Sequence, residues 1–553
     1  MADLIDKAAT VVTPPVPPMP DAGTMCFDVA HDPWLPVLRD DGTLQEVGLI
    51  EALCNAHQFR GLRDPLPPVE CGLIRLLVAF ALDIFKPQDE IDWAEVWESG
   101  CFDEARVRAY FADNADRFNL FDEVHPFLQD RSLEGEHKPL AGLLPSQPAG
   151  TNAAHFHHGI ETDFAVAPAI AARLLATIAP FMTAGGAGLS PSINGAPPWY
   201  VLLEGDNLFQ TIWLNCPVSA DIVPQVENDC PAWRDERPLA KADRTEAGLL
   251  EALTWRPRRI RLMPHFATPA QHQCALTGRD TPILVGRMKF AAAWSTRFEW
   301  HDPHVPYRNS EKGATVLRPR EGRAVWRDVG ALALLRHGAE VERPGIVSQF
   351  AAFIGRRDVP EDTPLRLTIY GMRTDMKMKI FEWYREPLQV PVVLLWKESL
   401  LNVAETEMKL AEDVAYTLGR AIRHTYPRDG AGNDKAFDTL VARAQMAFWQ
   451  RLRPHYIGPG HSLLYDLAPL QPNQDRVQMQ EVLKSWREAL RRTAHLALDE
   501  AIGDLKGSIS GLDADGAAIK RQVEAQEFFR LRLRALLNPA TAAKKQKEKK
   551  EKS

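Results

Sequence analysis

Paired cysteines are missing from this sequence. Of Cys26, Cys54, Cys71, Cys101, Cys216, Cys230 and Cys274, no two stand at CxxC spacing. Neither a disulfide framework nor a paired-cysteine zinc knuckle is indicated, and most of the seven read as small buried apolar residues. Long apolar runs are missing as well. The most apolar stretch, Leu73 to Phe85, is interrupted by Arg75 and Asp83 and is too short to span a bilayer. No basic start followed by an apolar core opens the chain, so a secretory signal is not expected and the cytoplasm is the expected compartment. Positive charge is not in excess: 65 Lys and Arg against 73 Asp and Glu leave a formal net charge of −8. That excludes a uniformly basic nucleic-acid binder but not a local basic face. No Walker motif, no nucleophile with a paired base and no acid–base dyad emerges, as expected of a chain without chemistry of its own.

What is present is a folding composition. Of 553 residues, 45% are apolar and 25% charged, close to the average for packed domains, and the length calls for several domain-sized units. The run Thr13 to Pro20 is proline-rich, so residues 1–24 are expected to be a disordered leader. The stretch from Cys26 to Leu38 is strand-like and ends at Asp40-Asp41-Gly42, which predicts a hairpin before Val47. Helical spacing predicts helices over Val69 to Ile84, Asp103 to Phe118 and Ala167 to Met182. Trp199 to Glu204 and Leu208 to Leu214 are expected as two strands about the turn Gly205-Asp206-Asn207.

Three stretches carry candidate function. Gly185, Gly186 and Gly188 follow the Ala167 to Met182 helix, where glycine permits a sharp turn or a close backbone approach; a plain surface turn is the competing reading. The GxGxxG spacing is absent and no Gly-Lys-Ser/Thr follows, so this is not a nucleotide fingerprint. Between Trp255 and Trp300, Arg256, Arg258, Arg259, Arg261, Arg279, Arg287, Lys289 and Arg297 face only Asp280 and Glu299. This is either a phosphate-contacting surface or a sheet face whose acids come from elsewhere in the chain. Alternation in Leu365 to Tyr370 and again in Met376 to Trp383 predicts a hairpin with Arg373, Thr374, Asp375, Met376 and Lys377 at its tip.

A fourth stretch holds His155, His157, His158, Glu161 and Asp163. Imidazole and carboxylate suit zinc or iron, so a metal-dependent hydrolase is the alternative function, set against a polar surface loop. Beyond Pro391 the pattern is helical: Leu410, Val414, Leu418 and Ile422; Phe437, Val441, Ala444 and Phe448; and Val482, Trp486 and Leu490 make three apolar stripes. Helix stops are expected near Pro427, Pro454 and Gly507, with a fourth helix from Ala517 to Leu537. The fold class is therefore α+β. A large mixed α/β domain over 25–388 precedes a four-helix bundle over 389–540 and a disordered Lys-rich tail over 541–553.

In their order, Trp34-Leu-Pro-Val, His125-Pro-Phe-Leu-Gln, Thr151-Asn with Phe156, the glycine run, Trp255-Arg-Pro, the Lys289 strand, the Gly371-Met-Arg hairpin and the helical C-terminal part resemble the CasA family. That family is the large subunit of Cascade, the type I-E CRISPR surveillance complex. The resemblance spans Phe27 to about Pro539. It implies a non-enzymatic subunit without a cofactor that reads the protospacer-adjacent motif of double-stranded DNA from the minor groove, helps open the duplex and recruits a helicase-nuclease. It further implies that Gly185, Gly186 and Gly188 form a reading loop and that Lys289, with Arg287 as rival, is a finger. The wedge lies at Thr374 to Lys377, and Asn152, His155 and Phe156 help anchor the subunit to the 5′ end of the guide RNA and to neighbouring subunits. Two departures stand out. Cys274 is alone where some relatives pair cysteines, so no zinc is expected there, and Asp375 or Met376 stands where a relative places a glutamine wedge. A purely structural scaffold is the blander alternative.

Overall fold

The computed structural model describes residues 25–145, 164–183, 189–223, 226–237, 246–293, 300–320, 322–334, 341–353, 363–374, 380–425, 434–509 and 517–537. The fold mixes helices and antiparallel strands. The chain divides into two compact units, one made of residues 1–319, 337–353 and 367–387, the other of 320–336, 354–366 and 388–553. The expected leader, tail, glycine run, His155 to Asp163 stretch and hairpin tip at Asp375 to Lys377 lie outside the described residues.

The first unit begins with the expected hairpin. Strand Leu35–Arg39 pairs antiparallel with Leu44–Val47 and, on its other side, with Phe59–Leu62. Helix Pro67–Phe85 follows, started by prolines whose missing N–H groups cost nothing in the first turn, and all but its first residue is buried. Helix Pro168–Phe181 lies against it so closely that a Cβ on Gly72 would sit 2.9 Å from the Ala176 carbonyl oxygen. Glycine is required there because two backbones nearly touch. Around Phe80 the core is aromatic: Trp233 stacks on it at 3.9 Å between ring centroids, and Phe111, Phe118 and Phe127 surround it.

Two sequence expectations in this unit are corrected. Leu208–Leu214 is a helix, not a strand. The Asn207 side chain accepts a hydrogen bond from the Gln210 backbone N–H at 2.9 Å, so the residue read as a turn is a helix cap. The strand before it, Tyr200–Leu203, pairs instead with Leu367 to Tyr370, far along the chain. The helix expected over Asp103 to Phe118 spans only Glu104–Asp113. Asp103 caps its start through the N–H groups of Ala105 and Arg106, and beyond Asn114 a short 3₁₀ turn takes over.

In the second unit four long helices, Glu398–His424, Asp434–Tyr456, Arg476–Ile509 and Ala517–Leu537, pack on one another. Val414, Leu418 and Ile422 are fully buried, with Phe448, Trp486 and Leu490 among the residues that complete the core. Helices Asp434–Tyr456 and Arg476–Ile509 each end two residues beyond the expected stop signals Pro454 and Gly507. No described helix is long and apolar enough to cross a membrane.

Candidate nucleic-acid interface

The Lys289 strand, Ile283–Ala292, is the centre of a three-stranded sheet, flanked by His137–Pro139 and by Arg258–Phe266. Strand alternation sorts its side chains. Ile260, Leu262 and Met288 are buried on the core face. The opposite face carries Arg259, Arg261, Arg287 and Lys289, with Lys289 directly across from Arg261 on one side and from His137 on the other.

Acids from distant segments meet several of these cations, as the plainer sequence reading allowed. Arg259 pairs with Asp130 at 2.5 Å, Arg256 with Asp235 at 3.2 Å and Arg279 with Glu46 at 3.6 Å. Lys289 itself donates to Glu134 at 2.6 Å, and the hydrogen bond from Lys289 lowers the Glu134 carboxyl from its usual value. Burial pushes the Arg261 guanidinium down, and its Nη1 is buried without a hydrogen-bond partner among the described residues. Arg287 is exposed and, among the described residues, has no carboxylate partner. Arg297 lies outside the described residues.

The glycine run is bracketed by described residues that are tied together. The buried Arg258 guanidinium donates to the Thr183 carbonyl oxygen at 2.8 Å and to that of Ser190, one on each side of residues 184–188. Its third acceptor is the Pro257 carbonyl at 2.9 Å, and burial pushes its pKa down to about 10. The Ser192 N–H also donates to the Met182 carbonyl at 2.9 Å.

Deeper in the core, Asn194 donates to Asp302 at 2.8 Å and to the Tyr200 hydroxyl at 3.1 Å, and that hydroxyl donates to the Pro180 carbonyl at 3.0 Å. Burial pushes the Asp302 carboxyl up, yet the Arg75 guanidinium outweighs this and holds it well below the carboxylate range. In the sequence Arg75 stands only as an interruption of an apolar run. Its partner lies 227 positions away, so no local pattern discloses the pair.

Arg373 and Thr374 do not sit in a turn: both belong to strand Pro364–Thr374, which neighbours Ile380–Pro391 in a sheet. Asn152, His155 and Phe156, Gly185, Gly186 and Gly188, and Asp375, Met376 and Lys377 lie outside the described residues. Among the described residues no group of histidines, cysteines and carboxylates is arranged to hold a metal ion, and all seven cysteines are free.

The family model for CRISPR-associated protein Cse1 matches residues 28–497. A Thermus thermophilus protein described as CRISPR-associated protein CasA/Cse1 is 30% identical over 500 residues, covering 85% of this chain and 91% of the relative. The crystal structure of Thermobifida fusca Cse1 superposes with a TM-score of 0.74 at 23% identity, over 93% of this chain and 98% of that one. A chain of a CRISPR RNA-guided surveillance complex superposes with a TM-score of 0.68 at 20% identity, over 91% and 99%. With a family match over most of its length and a relative of this identity, the chain belongs to the Cse1/CasA family of CRISPR-associated proteins.

Proposed function

We propose that this chain is the large, non-catalytic subunit of a CRISPR RNA-guided surveillance complex. In this reading it recognises the protospacer-adjacent motif of double-stranded DNA through the minor groove and helps open the duplex for guide-RNA pairing. It then recruits a separate helicase-nuclease. Asn152, His155 and Phe156 anchor it to the 5′ end of the guide and to neighbouring subunits, and the four C-terminal helices act as a four-helix bundle within the complex.

The observation that supports this reading best is Arg258. It belongs to the strand paired with the Lys289 strand, and its guanidinium fastens both ends of residues 184–188. The two proposed readers, the glycine loop and the finger, therefore share one frame. Minor-groove acceptors are present on every base pair, so a lysine there donates tolerantly, while a glycine backbone carbonyl accepts from the guanine amino group. Arg287, exposed one pleat away, supplies phosphate attraction that weakens with salt. Lys289 exchanges Glu134 for the groove on binding. Thr374 and the residues after it, Asp375, Met376 and Lys377, form the wedge, with Arg373 beside them; an apolar wedge costs a few kcal/mol per unstacked step, which backbone contacts and the growing RNA–DNA hybrid offset.

The test is duplex binding by the assembled complex carrying Lys289→Ala together with Gly186→Val. Weaker binding to target duplex with normal assembly on guide RNA is expected. Unchanged duplex binding in an intact complex would refute the assignment.

A further inference from the structure

The pair between Lys289 and Glu134 is held by more than its two side chains. Asp130 is fastened to strand Arg258–Phe266: its N–H donates to the Ile260 carbonyl at 2.8 Å and its carboxylate meets Arg259. On the other flank His137 stands opposite Lys289. The segment from Asp130 to His137 therefore passes from one neighbour of the Lys289 strand to the other. Its course is fixed by contacts of its own. The Ser132 N–H donates to the Asp130 carboxylate at 2.9 Å, Leu133 is buried, and Gly135 takes a φ of 129°, a conformation that residues with a side chain rarely adopt. Between Leu133 and Gly135, Glu134 is the residue that meets the lysine. The Lys289 side chain is 16% exposed and that of Glu134 87%, so the carboxylate stands outermost. A polyanion approaching this face meets the negative group before the positive one.

We infer that Glu134 is an internal competitor of duplex DNA for Lys289, and so sets how tightly the assembled complex holds a duplex. The inference rests on the proposed function, which makes Lys289 the finger. A lysine paired at 2.6 Å offers little net charge at a distance, and to enter a groove it must first give up a charge-assisted hydrogen bond. The neighbouring pairs are of another kind. Arg259 and Arg256 are held by carboxylates only 9% and 5% exposed, which would be stranded if their cations left. Glu134 would return to water, so its pair is the exchangeable one. Exposed pairs shift an equilibrium by about fivefold at most, so the carboxylate tempers binding and does not block it. The competing reading is a purely structural pair: Glu134 would then only hold the turn, and removing its charge would not tighten DNA binding.

That difference sets the experiment. The complex assembled on guide RNA is titrated with a target duplex and with a duplex that lacks the motif. Glu134→Gln keeps the shape and a hydrogen-bond acceptor but removes the charge, and should tighten binding to both duplexes about two- to fivefold. A gain of affinity cannot come from a misfolded variant. Glu136→Gln makes the same charge change at the next exposed acid and should alter binding less. In a Lys289→Ala background Glu134→Gln should add nothing. No tightening by Glu134→Gln, an equal gain from Glu136→Gln, or a gain that persists without Lys289 would each overturn the inference. If Lys289→Ala weakens duplex binding while Glu134→Gln has no effect, the competitor alone is refuted. If Lys289→Ala leaves duplex binding unchanged, the functional reading fails as well.

Discussion

Arg75 and Asp302 meet as a two-pronged ion pair, Nη1 to Oδ1 at 3.0 Å and Nη2 to Oδ2 at 2.7 Å, with side-chain exposures of 2% and 0%. Two charges so placed are costly to bury, and the pairing geometry offsets that cost only while both are present. Arg75→Met should therefore destabilise the first unit by about 3–5 kcal/mol, read from its denaturant midpoint. Replacing both residues with apolar ones of similar volume should cost much less than either single change.

The same cluster predicts an acid-side loss of stability. His304 Nδ1 lies 2.8 Å from Arg75 Nη1 and its Nε2 2.9 Å from the Asn215 carbonyl oxygen, an arrangement that suits a neutral ring; burial pushes its pKa down. The unfolded chain takes up this proton near pH 6.5 and the folded chain does not, so stability falls as pH drops below about 6.5. Asp302, held below its ordinary value, adds a second loss as pH falls below about 4. Thermal melting across this range should show both declines, and His304→Gln should flatten the upper one.

Arg258 is buried and, among the described residues, has no carboxylate partner; its Nη donors go to main-chain carbonyls, while its Nε finds no acceptor among those residues. Arg258→Met leaves those acceptors without a donor, at about 1–3 kcal/mol for each buried group. Beyond lost stability, limited proteolysis between Thr183 and Ser190 should become several-fold faster, while cleavage elsewhere at native temperature stays unchanged.

A Cβ on Gly371 would come 2.3 Å from the Trp199 ring. Gly371→Ala should cost about 1–3 kcal/mol by overpacking. Combined with Trp199→Leu, which vacates the space, the loss should be smaller than the sum of the single changes, a coupling that a double-mutant cycle reads directly.

Helices Pro67–Phe85, Pro168–Phe181 and Ala517–Leu537 were legible in the sequence because each is long enough, at 19, 14 and 21 residues, for apolar residues at helical spacing to recur over several turns. Leu208–Leu214 was not. Nearly every position in it is buried, so no polar face sets a period, and seven residues are too few to choose between strand and helix. Lys289 and Arg287 were found by local charge and by the family resemblance, but Glu134, Asp130 and Asp235, which decide how much positive charge remains on that surface, come from loops with no sequence relation to it. The clamp on residues 184–188 was hidden for a related reason: Arg258 was visible as one basic residue among eight, and only the fold shows that it faces carbonyls and not solvent.

The pairing of Tyr200–Leu203 with Leu367 to Tyr370 also bears on how the protein is made. All four residues of the earlier strand are buried in the finished molecule, and on a ribosome they emerge on the order of ten seconds or more before their partner. During that interval the edge that pairs with Leu367 to Tyr370 has no native neighbour. Slower synthesis or truncation before Leu367 should therefore raise the aggregated fraction more than it lowers total yield, whereas supplying the missing segment later, in trans, should rescue little of it.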